Sequence, residues 1–264
     1  MRLIGLLACL VLPSVLRAEP NPLEVRLISE TKSIAAGKTF HLGLHLKHPP
    51  GAHSYWKNPG IVGLATKIVW ELPPGFSAGE SQWPAPQIVK MASYEAQGYE
   101  GETLIIIPIN APEKLPNQAV TFTAKVSWMC CGKTCQPVLE MPFFLTLPVA
   151  AVAESEPATQ DLFAKFRGMV PRRDPAWKTA VKREHGKFIL TIAPPAAISN
   201  AAGIHFFTSD GQVDSNQKHQ VEILANGTLR MILGQSETGP QNSVTLPGVL
   251  VFPDRAALEI DPRY

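Results

Sequence analysis

From Val120 to Trp128 the chain alternates apolar with polar or small side chains, with Val120, Phe122, Ala124, Val126 and Trp128 on every second position. That period belongs to a strand half buried against a core, and it predicts a strand over 119–129. The strand runs into Met129-Cys130-Cys131-Gly132-Lys133-Thr134-Cys135-Gln136-Pro137, so it carries three thiols to its own end. Gly132 and Pro137 are expected to bend the chain around them. The same alternation in Leu23-Glu24-Val25-Arg26-Leu27 and in Phe40, Leu42, Leu44 and Leu46 predicts two earlier strands. Pro49-Pro50-Gly51 stops the second, and an irregular loop from His53 to Gly60 follows. Thr66 to Leu72 reads as a strand, Leu104 to Ile109 as a strand of the buried type, and Val138 to Val149 as the last of this half. Residues 83–101 show no period and read as a long loop, the kind of segment that often carries function. Many short strands with Gly/Pro punctuation argue for an antiparallel sandwich.

The second half has its own pattern. Residues 150–160 are small and polar and read as a linker, after residues 19–149 as a first domain. Leu162, Phe163, Phe166 and Met169 recur at helical spacing and predict a short amphipathic helix at the start of a second domain, residues 161–264. Trp177–Glu184 and Lys187–Ile192 flank His185-Gly186 as a hairpin, and Val221–Leu224 and Thr228–Leu233 flank Asn226-Gly227 as another. Val244 to Phe252 and Ala256 to Ile260 add strands, so this half is a second β domain without cysteine.

Residues 1–18 change the picture of where the protein works. Arg2, an apolar run from Leu3 to Leu16 and Leu16-Arg17-Ala18 have the layout of a cleaved export signal. A lipidated signal ending at Cys9 is the rival, but it leaves an apolar core of only a few residues. Removing residues 1–18 takes away Arg2 and Arg17 and no acid, so the 24 basic residues fall to 22, against 22 acidic. A neutral chain without a Lys/Arg block offers nothing to a nucleic-acid backbone. The mature protein is expected to be periplasmic and soluble. It keeps Cys130, Cys131 and Cys135, an odd number for an oxidising compartment. One pair and one leftover thiol suit a redox or metal site better than a structural disulfide framework. Pairing of Cys131 with Cys135 closes a small loop, and a thiolate there can exchange with a partner's disulfide.

Two motifs together carry a resemblance. Trp128-x-x-Cys131-x-x-x-Cys135-x-Pro137, with His53-x-Tyr55-Trp56-x-Asn58-Pro59-Gly60 upstream, resembles the N-terminal periplasmic region of the DsbD/ScsB thiol–disulfide reductases. Trp83-Pro84-x-Pro86 and Gly98-Tyr99-x-Gly101-Glu102 fit the same pattern. In the second half, Phe206-Phe207 before Asp210-Gly211, and Gly248 to Phe252 leading to Glu259-Ile260-Asp261, are similar to the second domain of ScsB-type members. The match spans about residues 22–262. It implies an all-β chain of two immunoglobulin-like antiparallel β-sandwich domains in tandem, joined through a short linker helix. It further implies a protein that takes electrons from a thioredoxin-like domain or protein, fed by a membrane electron transporter, and passes them to periplasmic thiol proteins. The chain stops at Tyr264, about where a ScsB-type protein continues into its membrane domain, so the donor is expected to be separate.

By this resemblance Cys135 forms the mixed disulfide with the partner and Cys131 resolves it. No cofactor beyond the redox-active disulfide is implied. His53, Tyr55 and Trp56 are expected to wall the cysteine site, and residues 87–94 to cap it, with Met91 or Tyr94 over the disulfide. Ordinary packing in a β-rich core is the plain alternative for these aromatics. Cys130 is extra to the family's pair, and its strand parity with Trp128 favours a buried core position. Lys133, Glu95 and Glu100 are charged neighbours able to tune a thiol, although a solvated surface role is the simpler reading. Two other functions compete. Cys130, Cys131 and Cys135, with Met129 and His53 nearby, are soft ligands suited to Cu(I). Alternatively the disulfide is only a structural staple in an interaction module. Nothing in the sequence suggests a Ser/His/Asp triad, a carboxylate pair or a phosphate loop.

Overall fold

The computed structural model describes residues 23–116, 118–254 and 256–264. The expected export signal, with Cys9, lies outside the described residues. In chain order the first half contributes β1 (Glu24–Ser29), β2 (Thr39–Lys47), β3 (His53–Tyr55), β4 (Lys67–Glu71), β5 (Ser77–Ala78), β6 (Gln87–Met91), β7 (Tyr94–Glu100), β8 (Glu102–Asn110), β9 (Ala119–Cys131) and β10 (Cys135–Pro148). One antiparallel sheet has the order β1-β2-β8-β5; the other runs β10-β9-β3-β7-β6, with β4 also paired to β9. Leu42, Leu44 and Leu46 from the first sheet meet Phe122, Val126 and Trp128 from the second, and this apolar layer makes the sandwich.

β9 is buried at Val120, Phe122, Ala124, Val126, Trp128 and Cys130, the period that its sequence predicts. β8 has no such alternation because both its faces are covered. Ile105 and Ile107 enter the sandwich core, whereas Leu104 and Ile106 pack against Phe163 and Phe166 of α1 (Pro157–Arg167). The helix begins within the stretch expected to be linker, with Pro157 in its first turn and the Glu156 carboxylate accepting from the Ala158 amide. Lys165 and Arg167 pair with Glu102 and Glu30 at 3.0 and 2.8 Å, which ties the helix to the first sandwich.

Several segments depart from the sequence reading. Residues 83–101 are not a long loop: β6 and β7 form a hairpin whose two-residue turn, Ala92-Ser93, follows the Met91–Tyr94 pair. Its buried positions are Val89, Ala96, Gln97, Gly98 and Tyr99, too small or too polar to show a hydrophobic period. His53–Tyr55 is a buried strand and not part of an irregular loop, for its three residues pair with β7 and His53 also pairs with Cys131 at the end of β9. Pro137 does not bend the chain either. It lies in β10 opposite Met129, an edge strand where a missing N–H is tolerated.

The second half contributes β11 (Lys178–Glu184), β12 (Lys187–Ala193), β13 (His205–Thr208), β14 (Gln220–Ile223), β15 (Leu229–Gly234), β16 (Gly248–Val251) and β17 (Ala257–Ile260). Its sheets have the orders β11-β12-β15-β14 and β13-β16-β17. Both expected hairpins are present, and His185 and Gly186 take positive φ of 48° and 72° in the first turn. The strand expected over 244–252 is only Gly248–Val251, and Val244 is exposed. β13 had no sequence signal beyond Phe206-Phe207. Leu190, Phe206, Met231 and Leu250 meet in the core of this second antiparallel sandwich.

Candidate functional site

β9 brings two cysteines to its end, and successive strand residues face opposite ways. Cys130 faces the sandwich core and is a free, buried thiol, which burial pushes above the usual thiol range. Cys131 faces the other side, beneath the β6–β7 hairpin. There it lies among Tyr55, Val89 and Ala96, with Val62, Met91 and Met129 at the margin. Gly132–Thr134 turn the chain, the Gly132 amide donating to the Thr134 carbonyl at 3.0 Å. β10 then starts with Cys135 directly opposite Cys131 at a Cα separation of 4.0 Å, and the two form a disulfide. The bond is asymmetric in its exposure: Cys131 is 1% exposed, whereas Cys135 stands in solvent.

A polar group reaches the buried sulfur. The Tyr55 hydroxyl donates to Cys131 Sγ at 3.2 Å, and His53 Nε2 lies 3.3 Å from the same hydroxyl oxygen. The single hydroxyl hydrogen goes to sulfur, so His53 has its proton on Nε2 and donates to the tyrosine oxygen. Burial pushes the Tyr55 hydroxyl up to about 12, with Cys130 adding to the rise, so it remains a donor at neutral pH. Burial also lowers His53 below the ordinary imidazole value, against the opposing field of Glu100. Tyr55 is itself held from two directions. Its carbonyl accepts from the Thr66 hydroxyl at 2.7 Å, and the loop crosses its ring at Gly63. Gly63 has φ +100°, and a Cβ there falls 2.2 Å from the ring.

The other expected site residues divide. Met91 is half-buried in the cluster around Cys131, while Tyr94 is 46% exposed at the hairpin turn. Trp56 is buried elsewhere, against Tyr99 of β7 and Phe207, Val249 and Val251 of the second domain. Trp128 sits in the sandwich core, its ring 6.1 Å from that of Phe143. Lys133 is exposed. Cys130 faces the sandwich core, on the opposite side of β9 from Cys131 beneath the hairpin. Among the described residues no three His, Cys, Asp or Glu side chains are grouped as metal ligands.

Sequence reasoning missed Val89, Ala96 and Val62 around the buried sulfur, and the second-domain residues that contact the hairpin. Glu95 of β7 receives both its backbone hydrogen bonds from there. Its amide donates to Asn216 Oδ1 at 3.0 Å, and its carbonyl accepts from the Ser215 hydroxyl at 3.0 Å. No local pattern announces contacts made across 120 residues of chain.

Fold and site together define a class: an antiparallel β-sandwich with a half-covered disulfide where a core strand ends. Residues 24–146 match the family model described as thiol:disulfide interchange protein DsbD, N-terminal, and the first domain belongs to that thiol–disulfide interchange family. Among solved structures, the N-terminal periplasmic domain of ScsB from Proteus mirabilis aligns with a TM-score of 0.67. The alignment covers 92% of this chain and 94% of that one at 14% identity, so the likeness is one of fold across both domains. The human desmocollin-1 ectodomain aligns over 90% of this chain and 34% of its own, at 10% identity and a TM-score of 0.23, which carries no weight. No curated protein matches the chain.

Proposed function

We propose that this protein is an exported thiol–disulfide interchange protein that moves electron pairs through Cys131 and Cys135. The observation that carries the reading is the unequal exposure of the two sulfurs. A thiolate of a reduced thioredoxin-like donor attacks Cys135 Sγ, the accessible sulfur, and the Cys131 thiolate leaves. The donor's second thiolate then attacks its own sulfur in the mixed disulfide and expels the Cys135 thiolate. The donor leaves oxidised, and the two protons released by its thiols balance the two taken up here. In the reverse sense, the Cys135 thiolate attacks an oxidised acceptor and Cys131 resolves the mixed disulfide. The Tyr55 hydroxyl suits the leaving step, because a hydrogen bond to sulfur favours the thiolate. Acceptors in the periplasm follow from the family of the first domain and the expected export signal. Among the described residues no helix is long and apolar enough to cross a membrane.

The test is the reduction potential of the mature protein, by thiol trapping in dithiothreitol and glutathione buffers, for wild type and Cys130→Ala. A carrier should fall roughly between −270 and −180 mV, the span from thioredoxin to protein disulfide isomerase. The Cys130 substitution should leave it unchanged. A value below about −300 mV marks a structural bridge and overturns the proposal. With Cys131→Ala, the thiol of Cys135 should trap a mixed disulfide with a thioredoxin-like donor; Cys135→Ala should trap none.

A further inference from the structure

The β6–β7 hairpin covers Cys131 but extends beyond its own sheet. β3 pairs with β7 only at Gly98, Tyr99 and Glu100, which leaves the outer edge of residues 94–97 without a neighbouring strand. A two-stranded ribbon with a free edge is marginal in water. Here the edge is completed by other means. Gln97 exchanges backbone hydrogen bonds with the loop after β3, its amide donating to Pro59 at 2.8 Å and its carbonyl accepting from Trp56 at 3.0 Å. Two residues nearer the tip, Glu95 takes the same pair of bonds from Ser215 and Asn216 of the second domain. Ser215 also accepts from the Ile61 amide at 3.2 Å, and the chain passes so close at Gly60 that a Cβ would lie 2.1 Å from the serine oxygen. Further along, the Thr208 carbonyl accepts from Asn58 Nδ2 at 2.7 Å and from the buried Gln97 Nε2 at 3.2 Å. Past Glu95 the two domains part. An open cleft separates Ile88 and Ser93 from His205 and His219. The hold on the hairpin is therefore local.

We infer that the second domain is a positioning element of the redox site: through Ser215 and Asn216 it clamps the β6–β7 hairpin over Cys131, so that partners reach only Cys135. This deepens the interchange reading and rests on it for its purpose, but the clamp can be tested without any exchange partner. In a Ser215→Ala/Asn216→Ala variant of the full mature chain, both backbone groups of Glu95 lose their partners. Loss of two hydrogen bonds should speed amide exchange over residues 88–97 by about tenfold, with that of β2 and β8 unchanged.

The functional readout is alkylation after complete reduction by a phosphine, with fragment mass spectrometry separating Cys131 from Cys130. In wild type Cys135 should react at least tenfold faster than Cys131. The double variant should raise the Cys131 rate about fivefold or more and leave Cys135 alone. Asn216→Asp, which keeps the acceptor, should match wild type. A folded double variant with wild-type exchange and labelling overturns the clamp, as does an equal rise at both cysteines. If the double variant does not fold, Asn216→Ala alone, on an exposed side chain, decides the matter by the same ratio. Because the reductant is chemical, these outcomes are independent of the potential, and a structural-bridge potential would defeat the interchange reading without touching the clamp.

Discussion

Tyr55 is the polar group that reaches the buried sulfur. It has almost no exposure, donates to Cys131 Sγ and receives His53, so its hydroxyl is oriented before any partner arrives. Tyr55→Phe keeps the ring and removes only the donor. The Cys131 thiol should then titrate higher, and reduction of the disulfide by a dithiol should slow by about fivefold, the equivalent of a hydrogen bond worth ~1 kcal/mol. Thiolate absorbance against pH and stopped-flow reduction would measure the two effects, with the melting temperature as a control for packing. An unaltered rate and titration would make Tyr55 mere filling. At this scale Cys131 and Cys135 were legible as site candidates from the strand that ends in them, and His53 and Tyr55 through the family resemblance. Their contacts were not. That Tyr55 turns toward sulfur and Trp56 away from it follows from the alternation of a strand that the sequence did not declare.

Among the elements, α1 was visible from its apolar spacing, yet what it covers was not. Phe163 is fully buried on Leu104 and Ile106, the face of β8 turned away from the sandwich core. Phe163→Ala should lower the stability of the first domain by about 3–5 kcal/mol, since it empties a site walled by two sheet residues and Phe166. Denaturant unfolding followed by Trp fluorescence would measure it. A loss below about 1 kcal/mol would mean that the helix is only loosely attached. The unbroken apolar run of β8 now has its reason, for each of its faces has a partner. The β6–β7 hairpin shows the opposite case. Ala96, Gln97 and Gly98 are buried by close approach of backbones and by side-chain hydrogen bonds, so hydropathy passed over them.

For the molecule as a whole, pH bears on stability through its buried and half-buried imidazoles. His205 and His219 stack at 4.0 Å, and burial lowers them to about 3 and about 4, His219 further depressing His205. Glu95 and Lys218 line the same cleft. Both histidines are neutral in the folded protein below 6.5, where the unfolded chain binds the proton. Stability is therefore retained above the ordinary value of 6.5 and declines as pH falls below it, by up to about 1.4 kcal/mol per pH unit per histidine. His48 and His53, also lowered by burial, act with the same sign in the first domain. Urea unfolding between pH 7 and 5 should show this slope, and His205→Phe/His219→Phe should reduce it. An unchanged slope in that variant would assign the effect elsewhere. By itself the sequence determined the β architecture, both second-domain hairpins, the strand that ends in cysteines and the pair to expect there, since periodicity, turn residues and thiol spacing are local properties. Only the tertiary structure decided which sulfur is covered, what covers it and that the second domain bonds to the cover. Those depend on strands and loops meeting across long stretches of chain, where backbone hydrogen bonds and close packing leave no periodic trace.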